Sequence, residues 1–482
     1  MFLGIDIGTS EVKVLLLNEQ QHIVATAGSA LTVSRPQPGH SEQAPADWWT
    51  ATLEALAKLK QLAPTEYAAV QSIGLSGQMH GAVLLDKSNA VLRPAILWND
   101  TRAHAECLAM MAECPSLPQL SGSLSMPGFT APKLRWLASH EPAVFSQIET
   151  VLLPKDYIRY QLSGQMVSDL SDASGTGWLD IEQRDWSDTL LANTGLHRSH
   201  MPRLVEGSAS SATLSAEAAA QLGLKAGITI AGGGGDNAAS AVGMGAVEVG
   251  QGFVSLGTSG VIFLVTPRYQ PMPHAATHAF CHALPKRWHQ MSVMLSAASC
   301  LQWASQLLNS SPAELEHKAS QLTATQREQA PHFLPYLSGE RTPHNSASVR
   351  GSFHGLSHEH DASAIAYAVI EGVSFGLTDG LNALRQAGCQ TTALSLVGGG
   401  AKSAHWAQQL ASAMGIDIVT HRGSEQGGAL GAARLAWLAI GEHVSDVCPA
   451  PPIHHVYRPV AGEAARLAER YARFKTSYTL QV

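Results

Sequence analysis

The chain has 482 residues, 45% of them hydrophobic and only 14% charged, with 43 glycines, 24 prolines and a formal net charge of -7. That length exceeds what one hydrophobic core supports, so two substantial domains of a turn-rich α/β protein are expected, and the dispersed charge excludes a basic surface for nucleic acid or anionic lipid. Six cysteines without a CxxC pair, a first segment unlike a signal peptide and no apolar run of the ~20 residues that span a bilayer predict reduced thiols, no membrane partner and a cytoplasmic location.

The chain opens on "FLGIDIG" and "VKVLLLN", two apolar strands joined by a Gly-Thr-Ser turn. A helix is expected over 46–62, flagged by Pro45 and Asp47, with Trp48 and Trp49 packing at its start. A short strand, "AVQSIGLSG", leads into Gln78, Met79 and His80; 101–146 reads as helical with proline breaks, and 155–162 as a short helix. The run "ITIAGGGGDNAASAVGMG" (228–245) places an aspartate, Asp236, between four glycines and a small-residue helix. Then the pattern restarts. "VSLGTSGVIFLV" (254–265) echoes "IDIGTSEVKVLLL" (5–17) at a constant offset of 249, and "LSLVGGGAKS" (394–403) looks like "ITIAGGGGDN". Two related α/β domains follow, 1–247 and 248–482, with a ligand cleft between them. Beyond lie a polar helical stretch at 309–328, a loop "LPYLSGERTPHN", a long helix at 361–387 and a small-residue helix opened by Gly427 and Gly428.

The two turns Gly8-Thr9-Ser10 and Gly257-Thr258-Ser259 offer backbone amides and hydroxyls to phosphate oxygens, one from each side of the cleft. Asp6, ending the first strand, is either a turn cap or a ligand for a Mg²⁺ that bridges phosphates. Lys13 either neutralises phosphate or faces solvent. The turn Gly398, Gly399, Gly400 and Ala401 can lie flat against a purine or ribose, ahead of a helix starting near Ser403. There is no GxxxxGK[ST] and no early GxGxxG, which disfavours a P-loop kinase and a Rossmann dehydrogenase. Asp236 could cap its helix; beside two phosphate turns it is better read as the base that takes the proton of an alcohol. His278, Cys281, His282 and His289 match no tetrahedral zinc spacing and read as a strand pair.

These residues resemble the FGGY carbohydrate kinases along essentially the whole chain. The resemblance rests on Asp6, Gly8, Thr9, Ser10 and Lys13, on Gly257 to Ser259 and on Gly398 to Ala401. It also rests on "GFTAPKLRWLASH" (128–140) and "GSFHGL…AIAYAVIEG" (351–372), which depart from the usual signatures at Ser139 and Ala364. It implies two ribonuclease-H-like domains of the actin/hexokinase/Hsp70 type, with sugar binding and the base in 1–247 and nucleotide binding in 248–482. ATP and Mg²⁺ are the implied cofactors, Mg²⁺ near Asp6, and a homodimer is a family-level expectation. The loops "SGQMHG" (76–81) and "LWNDTR" (97–102) are similar to those of members that phosphorylate D-xylulose at O5. By that likeness Met79, His80, Trp98 and Asp100 line the sugar pocket, and Asn237 helps Asp236 hold the reacting hydroxyl. Glycerol kinases carry Arg-Glu where this chain has Met79 and His80. A neutral histidine that donates and accepts suits an uncharged polyol, whereas an acidic sugar such as gluconate would attract a dedicated Arg or Lys. The alternatives are a kinase for ribulose, glycerol or a deoxyketose, and a non-enzymatic actin- or Hsp70-like ATPase switch.

Overall fold

The computed structural model describes residues 1–423 and 426–481. Two mixed sheets of seven strands organise it. In the first, the order is Ser210–Thr213, Thr229–Ala231, Ser72–Gly77, Phe2–Ile7, Glu11–Leu17 and Ile23–Ala30, and Gly234–Gly235 pairs with Ser72–Gly77 off that path. The second runs His278–Cys281, Trp288–Met294, Gly260–Thr266, Gly252–Leu256, Ala393–Val397, Asp417–His421 and Ile453–Tyr457. Each sheet has at its centre an antiparallel hairpin around a Gly-Thr-Ser turn, Phe2↔Leu17 to Ile7↔Val12 in one and Gly252↔Leu264 to Leu256↔Gly260 in the other. Strands such as Phe2–Ile7 are apolar and almost wholly buried because helices cover both faces.

The helices lie close to their expected places. Pro45–Leu62 starts on its proline and buries Trp48, whose indole donates to Gln43 Oε1 at 3.0 Å. The stretch 101–146 divides into His104–Glu113, Leu117–Ser121, Thr130–His140 and Pro142–Phe145. Residues 309–328 split into Pro312–Ser320 and Ala324–Gln329, each with a capping box. Ala362–Gln386 is long and apolar enough by composition to cross a membrane, yet 89% of its most apolar window is buried inside the protein, so it is a core helix.

One expected correspondence is corrected. The strand before Gly398, Ala393–Val397, lies parallel to Gly252–Leu256. The strand that lies parallel to Phe2–Ile7 in the same way is Ser72–Gly77, which leads into Gln78-Met79-His80. Thr229–Ala231 lies one strand further out, as Asp417–His421 does in the second sheet. The counterpart of Thr229–Ala231 is therefore Asp417–His421, and that of Ser72–Gly77 is Ala393–Val397. An apolar strand followed by glycines is a generic pattern; only the ladder register tells two such units apart.

The helix Gly427–Leu438 comes from the second half of the chain but packs on the first sheet, against Phe2–Ile7 and Ser72–Gly77. It also crosses Asp236–Gly243. Glycines make both crossings possible: a Cβ on Gly74 would fall 1.8 Å from Ala432 O, and one on Gly431 only 1.7 Å from Ala239 O.

Candidate active site

Two cavities open along the junction of the halves. The first, about 280 Å³, is lined by Met79, His80, Trp98, Phe129, Asp236 and Asn237 from the first half. Ser255, Ser259, Val261, His278, Phe280, Met291, Val293 and Arg341 complete it from the second. The second cavity, about 620 Å³, is lined by Gly398, Gly399, Ala401 and Lys402, by His421, His454 and Tyr457, and by Ser240, Gly427 and Gly428. Gly428 touches the first strand's Asp6, since a Cβ there would fall 2.8 Å from Asp6 Oδ2. Gly428 lines the larger cavity and Asp236 the smaller one, and the charge of Asp6 acts on Asp236.

Asp236 begins the helix Asp236–Gly243, with Gly235 as its N-cap. Its Oδ1 accepts from the Asn237 amide at 2.7 Å and from Asn237 Nδ2 at 3.0 Å, so Asn237 orients the carboxylate. Burial pushes Asp236 up to about 6, and the charge of Asp6 adds to this against the pull of the Asn237 amides. Asp6 is itself raised by burial, with the Ser76 hydroxyl (2.8 Å) and the Lys13 charge pulling it down. A buried carboxylate raised in this way is one that a nearby cation would stabilise.

The glycine run before Asp236 is held from behind by buried charge. The Arg159 guanidinium donates to the carbonyls of Ala231 and Gly232 and to the Ser211 hydroxyl. The amide of Gly235 donates to Ser171 Oγ at 3.2 Å, and Ser171 in turn is fixed by Asp169. Lys155 Nζ stands 2.6 Å from Asp156, 2.7 Å from Asp169 and 3.2 Å from Asp172, all of them without solvent contact. Burial alone would lower the Lys155 ammonium, but the three acids hold it above its usual range. Burial raises Asp172 well above the usual carboxylate range, with Asp156 and Asp169 adding to this against the pull of Lys155.

His80 has a positive φ of 71° and is locked there by its surroundings. Its carbonyl accepts from Lys133 Nζ at 2.9 Å and Thr130 Oγ1 at 3.1 Å, and its ring stacks on Phe129 with centroids 4.5 Å apart. Nδ1 lies 2.6 Å from Gly175 O and must donate to it. Burial, with smaller contributions from Lys133 and Arg341, drives the ring down to about 3, so it is neutral and Nε2 carries the lone pair. The expected donor-and-acceptor histidine is therefore an acceptor only at its remaining nitrogen.

The two Gly-Thr-Ser turns hold their shape internally. Gly8 N–H donates to Glu11 O at 3.0 Å and Gly257 N–H to Ser259 O at 3.1 Å, whereas the amides of Thr9, Ser10, Thr258 and Ser259 make no backbone bond among the described residues. The Thr9 hydroxyl donates to Gln78 Oε1 at 3.0 Å and accepts from Trp98 Nε1 at 2.9 Å, so its proton is spent within the protein. Lys13 is exposed and 3.9 Å from Glu11. Gly398 takes φ 88°, followed by the short helix Gly399–Lys402.

Asp100 does not join the others. It is buried behind the cavity, where Arg102 Nη2 and the Ser41 amide take Oδ2 and Arg102 Nε takes Oδ1. It shapes the loop that carries Trp98. His278, set aside in the sequence as part of a strand pair, does lie in that pair but also lines the first cavity. Among the described residues no group of histidine, cysteine and acidic side chains is arranged to hold a metal by itself. Arg341 was missed, because its loop lies far along the chain from every other sugar-loop residue; the "GERTP" of that loop was the available signal. The cavity thus holds the kind of cation that the sequence loops gave no reason to expect.

Residues 1–243 match the N-terminal domain of the FGGY family of carbohydrate kinases, and residues 252–440 match its C-terminal domain. The chain is 48% identical to the xylulose kinase of Escherichia coli (strain K12), over 99% of this chain and 98% of that relative. The crystal structure of a xyloylose kinase from Brucella ovis superposes with a TM-score of 0.97 at 48% identity, covering 99% of both chains. That of a gluconate kinase from Lactobacillus acidophilus superposes with a TM-score of 0.92 at 26% identity, covering 99% of this chain and 97% of that one.

Proposed function

The chain belongs to the FGGY family of carbohydrate kinases, and from that premise we propose that it transfers the γ-phosphoryl group of ATP to O5 of D-xylulose. The protein is an ATP-dependent sugar kinase of the two-domain actin/hexokinase-like fold. The observation that carries the site assignment is that Gly428 of the glycine-walled cavity touches Asp6, whose charge acts on Asp236 in the wall of the smaller cavity.

In this reading the adenosine lies against Gly399, Gly400 and Ala401, and the phosphates run between the two Gly-Thr-Ser turns. The acceptor fills the smaller cavity with its terminal hydroxyl toward Asp236. Asp236 takes the proton of O5, O5 bonds to the γ-phosphorus, and the bond from that phosphorus to the bridging oxygen breaks, releasing ADP. Met79 and Phe129 bury the carbon chain, and His80 Nε2 accepts from a sugar hydroxyl. Asp6 fits a Mg²⁺ that would be held otherwise by phosphate oxygens and water, since that ion commonly takes one or two carboxylates. When bound, Mg²⁺ would neutralise charge on the transferring phosphoryl group. Closure of the halves would exclude water from the path. Six free, buried cysteines fit a reducing compartment, and the cytoplasm is our assignment.

The reading is tested with purified protein, Mg-ATP and a panel of sugars, following ADP release. D-xylulose should give the highest kcat/KM; preference for glycerol or ribulose would redirect the substrate, and ADP release indifferent to every sugar would overturn the kinase mechanism. Since the base must be ionised, kcat/KM for the sugar should fall tenfold per pH unit below about 6, the value to which burial lifts Asp236, and level off above it. A flat profile between pH 5 and 7 would remove Asp236 as the base. Gly399 offers a separate test, because a Cβ there meets nothing within 4 Å and would project into the larger cavity. Gly399→Val is expected to raise KM for ATP by roughly tenfold, an overpacking cost of about 1.4 kcal/mol, with KM for the sugar and the melting temperature unchanged.

A further inference from the structure

We propose that Arg341 is a specificity-determining residue that holds the carbonyl-bearing end of the acceptor, opposite the hydroxyl that Asp236 activates. The loop that carries it is pinned to the second sheet. Thr342 N–H donates to Val293 O at 3.0 Å, Val293 N–H donates to Thr342 Oγ1 at 3.0 Å, and that hydroxyl donates to Ala276 O at 2.8 Å. Arg341 is thereby delivered to the cavity wall. Its neighbour Glu340 spends Oε1 on the amides of Leu295 (3.0 Å) and Arg341 (2.7 Å). Among the described residues the guanidinium has no ion-pair or hydrogen-bond partner. The charge of Glu340 acts on it from the next residue, but its N–H groups have no acceptor among these residues and are left for a ligand or water.

Its position within the cavity follows from its neighbours. Thr342, the next residue, is bonded to Val293 on the strand that pairs Met291 with His278, and Phe129 stacks on His80 with its centroid 5.8 Å from that of His278, so these rings and this strand share one wall of the cavity. The guanidinium therefore stands at the His80–His278 end, and an acceptor with O5 at Asp236 brings its C1–C2 end there. The chemistry at that end is complementary to an α-hydroxy ketone. A guanidinium only donates, and a carbonyl oxygen takes its N–H groups with no proton of its own to place. His80 Nε2 only accepts, and the adjacent hydroxyl supplies the proton it needs.

This inference rests on the proposed D-xylulose reaction, so the test reads both. Kinetic constants are measured for wild type, R341Q and R341K with D-xylulose and with the pentitol of matching configuration, which lacks the carbonyl. Loss of hydrogen bonds from a charged donor predicts a roughly 10- to 100-fold fall in kcat/KM for D-xylulose in R341Q, chiefly through KM, with a smaller fall for the pentitol, whose C2 hydroxyl can turn to other partners, and KM for ATP little changed. R341K should recover part of the loss, and if R341Q does not fold, a ketose-selective loss in R341K carries the same meaning. Equal losses on both acceptors, an increased KM for ATP, or no change would overturn the inference while wild-type turnover leaves the reaction standing. No turnover of D-xylulose by the wild type would overturn the reaction and the inference together.

Discussion

Asp236→Ala is expected to lower kcat for sugar phosphorylation by 10²- to 10⁴-fold, the range for loss of a general base, with ATP affinity nearly unchanged. Binding of nucleotide is measured by calorimetry and turnover by ADP release; near-normal turnover would end the assignment. The same position yields an opposite result in stability. An unfolded aspartate ionises near 4, whereas burial lifts this one to about 6. Through that window the folded state binds more protons than the unfolded state, so stability falls as pH rises from 4 to 6 and stays reduced above it. Asp236→Asn removes the buried charge and should stabilise the protein by ~1–3 kcal/mol at pH 7.5 but not at pH 4. A dead variant that melts higher only at neutral pH would show a side chain kept for chemistry at a cost to the fold.

Lys155→Met is expected to be the most damaging single change to the fold, by about 3–5 kcal/mol, because it strands Asp156, Asp169 and Asp172 in the interior without their shared cation. Urea unfolding gives the magnitude, and a difference from wild type below ~1 kcal/mol would refute the argument. The deficit should narrow as pH falls and the stranded carboxylates take up protons. Activity should drop as well under conditions where the variant remains folded, since Arg159 and Ser171 brace the glycine run that presents Asp236.

What could be read from the sequence was local. The Gly-Thr-Ser turns, the Gly398–Ala401 turn and the aspartate after four glycines are short stretches whose backbone demands show in residue type. The correspondence between halves held for the hairpins, where residue identities repeat. It slipped by one strand for the glycine units, where only ladder register separates Thr229–Ala231 from Ser72–Gly77. Residues whose role depends on distant partners were hidden. Arg341 and His278 enter the cavity from a loop and a strand of the second half, and Lys155 shows its purpose only when three acids converge on it. Asp100 misled for the same reason, because adjacency to Trp98 in the chain did not reveal Arg102 folding back to claim it.

The helix Gly427–Leu438 has a consequence for how this polypeptide is made. It closes a face of the first sheet, yet it is encoded near the end of the chain. At 5–20 residues per second, a ribosome that has finished residue 247 needs roughly 10–40 s more to deliver this helix. Over that interval Gly4, Gly74 and the apolar side chains beside them lack their cover, so the emerging first half is a client for chaperones rather than a finished unit. A fragment ending at residue 247 should therefore aggregate when expressed alone, and be rescued by a second fragment that supplies residues 248–482 in the same cell.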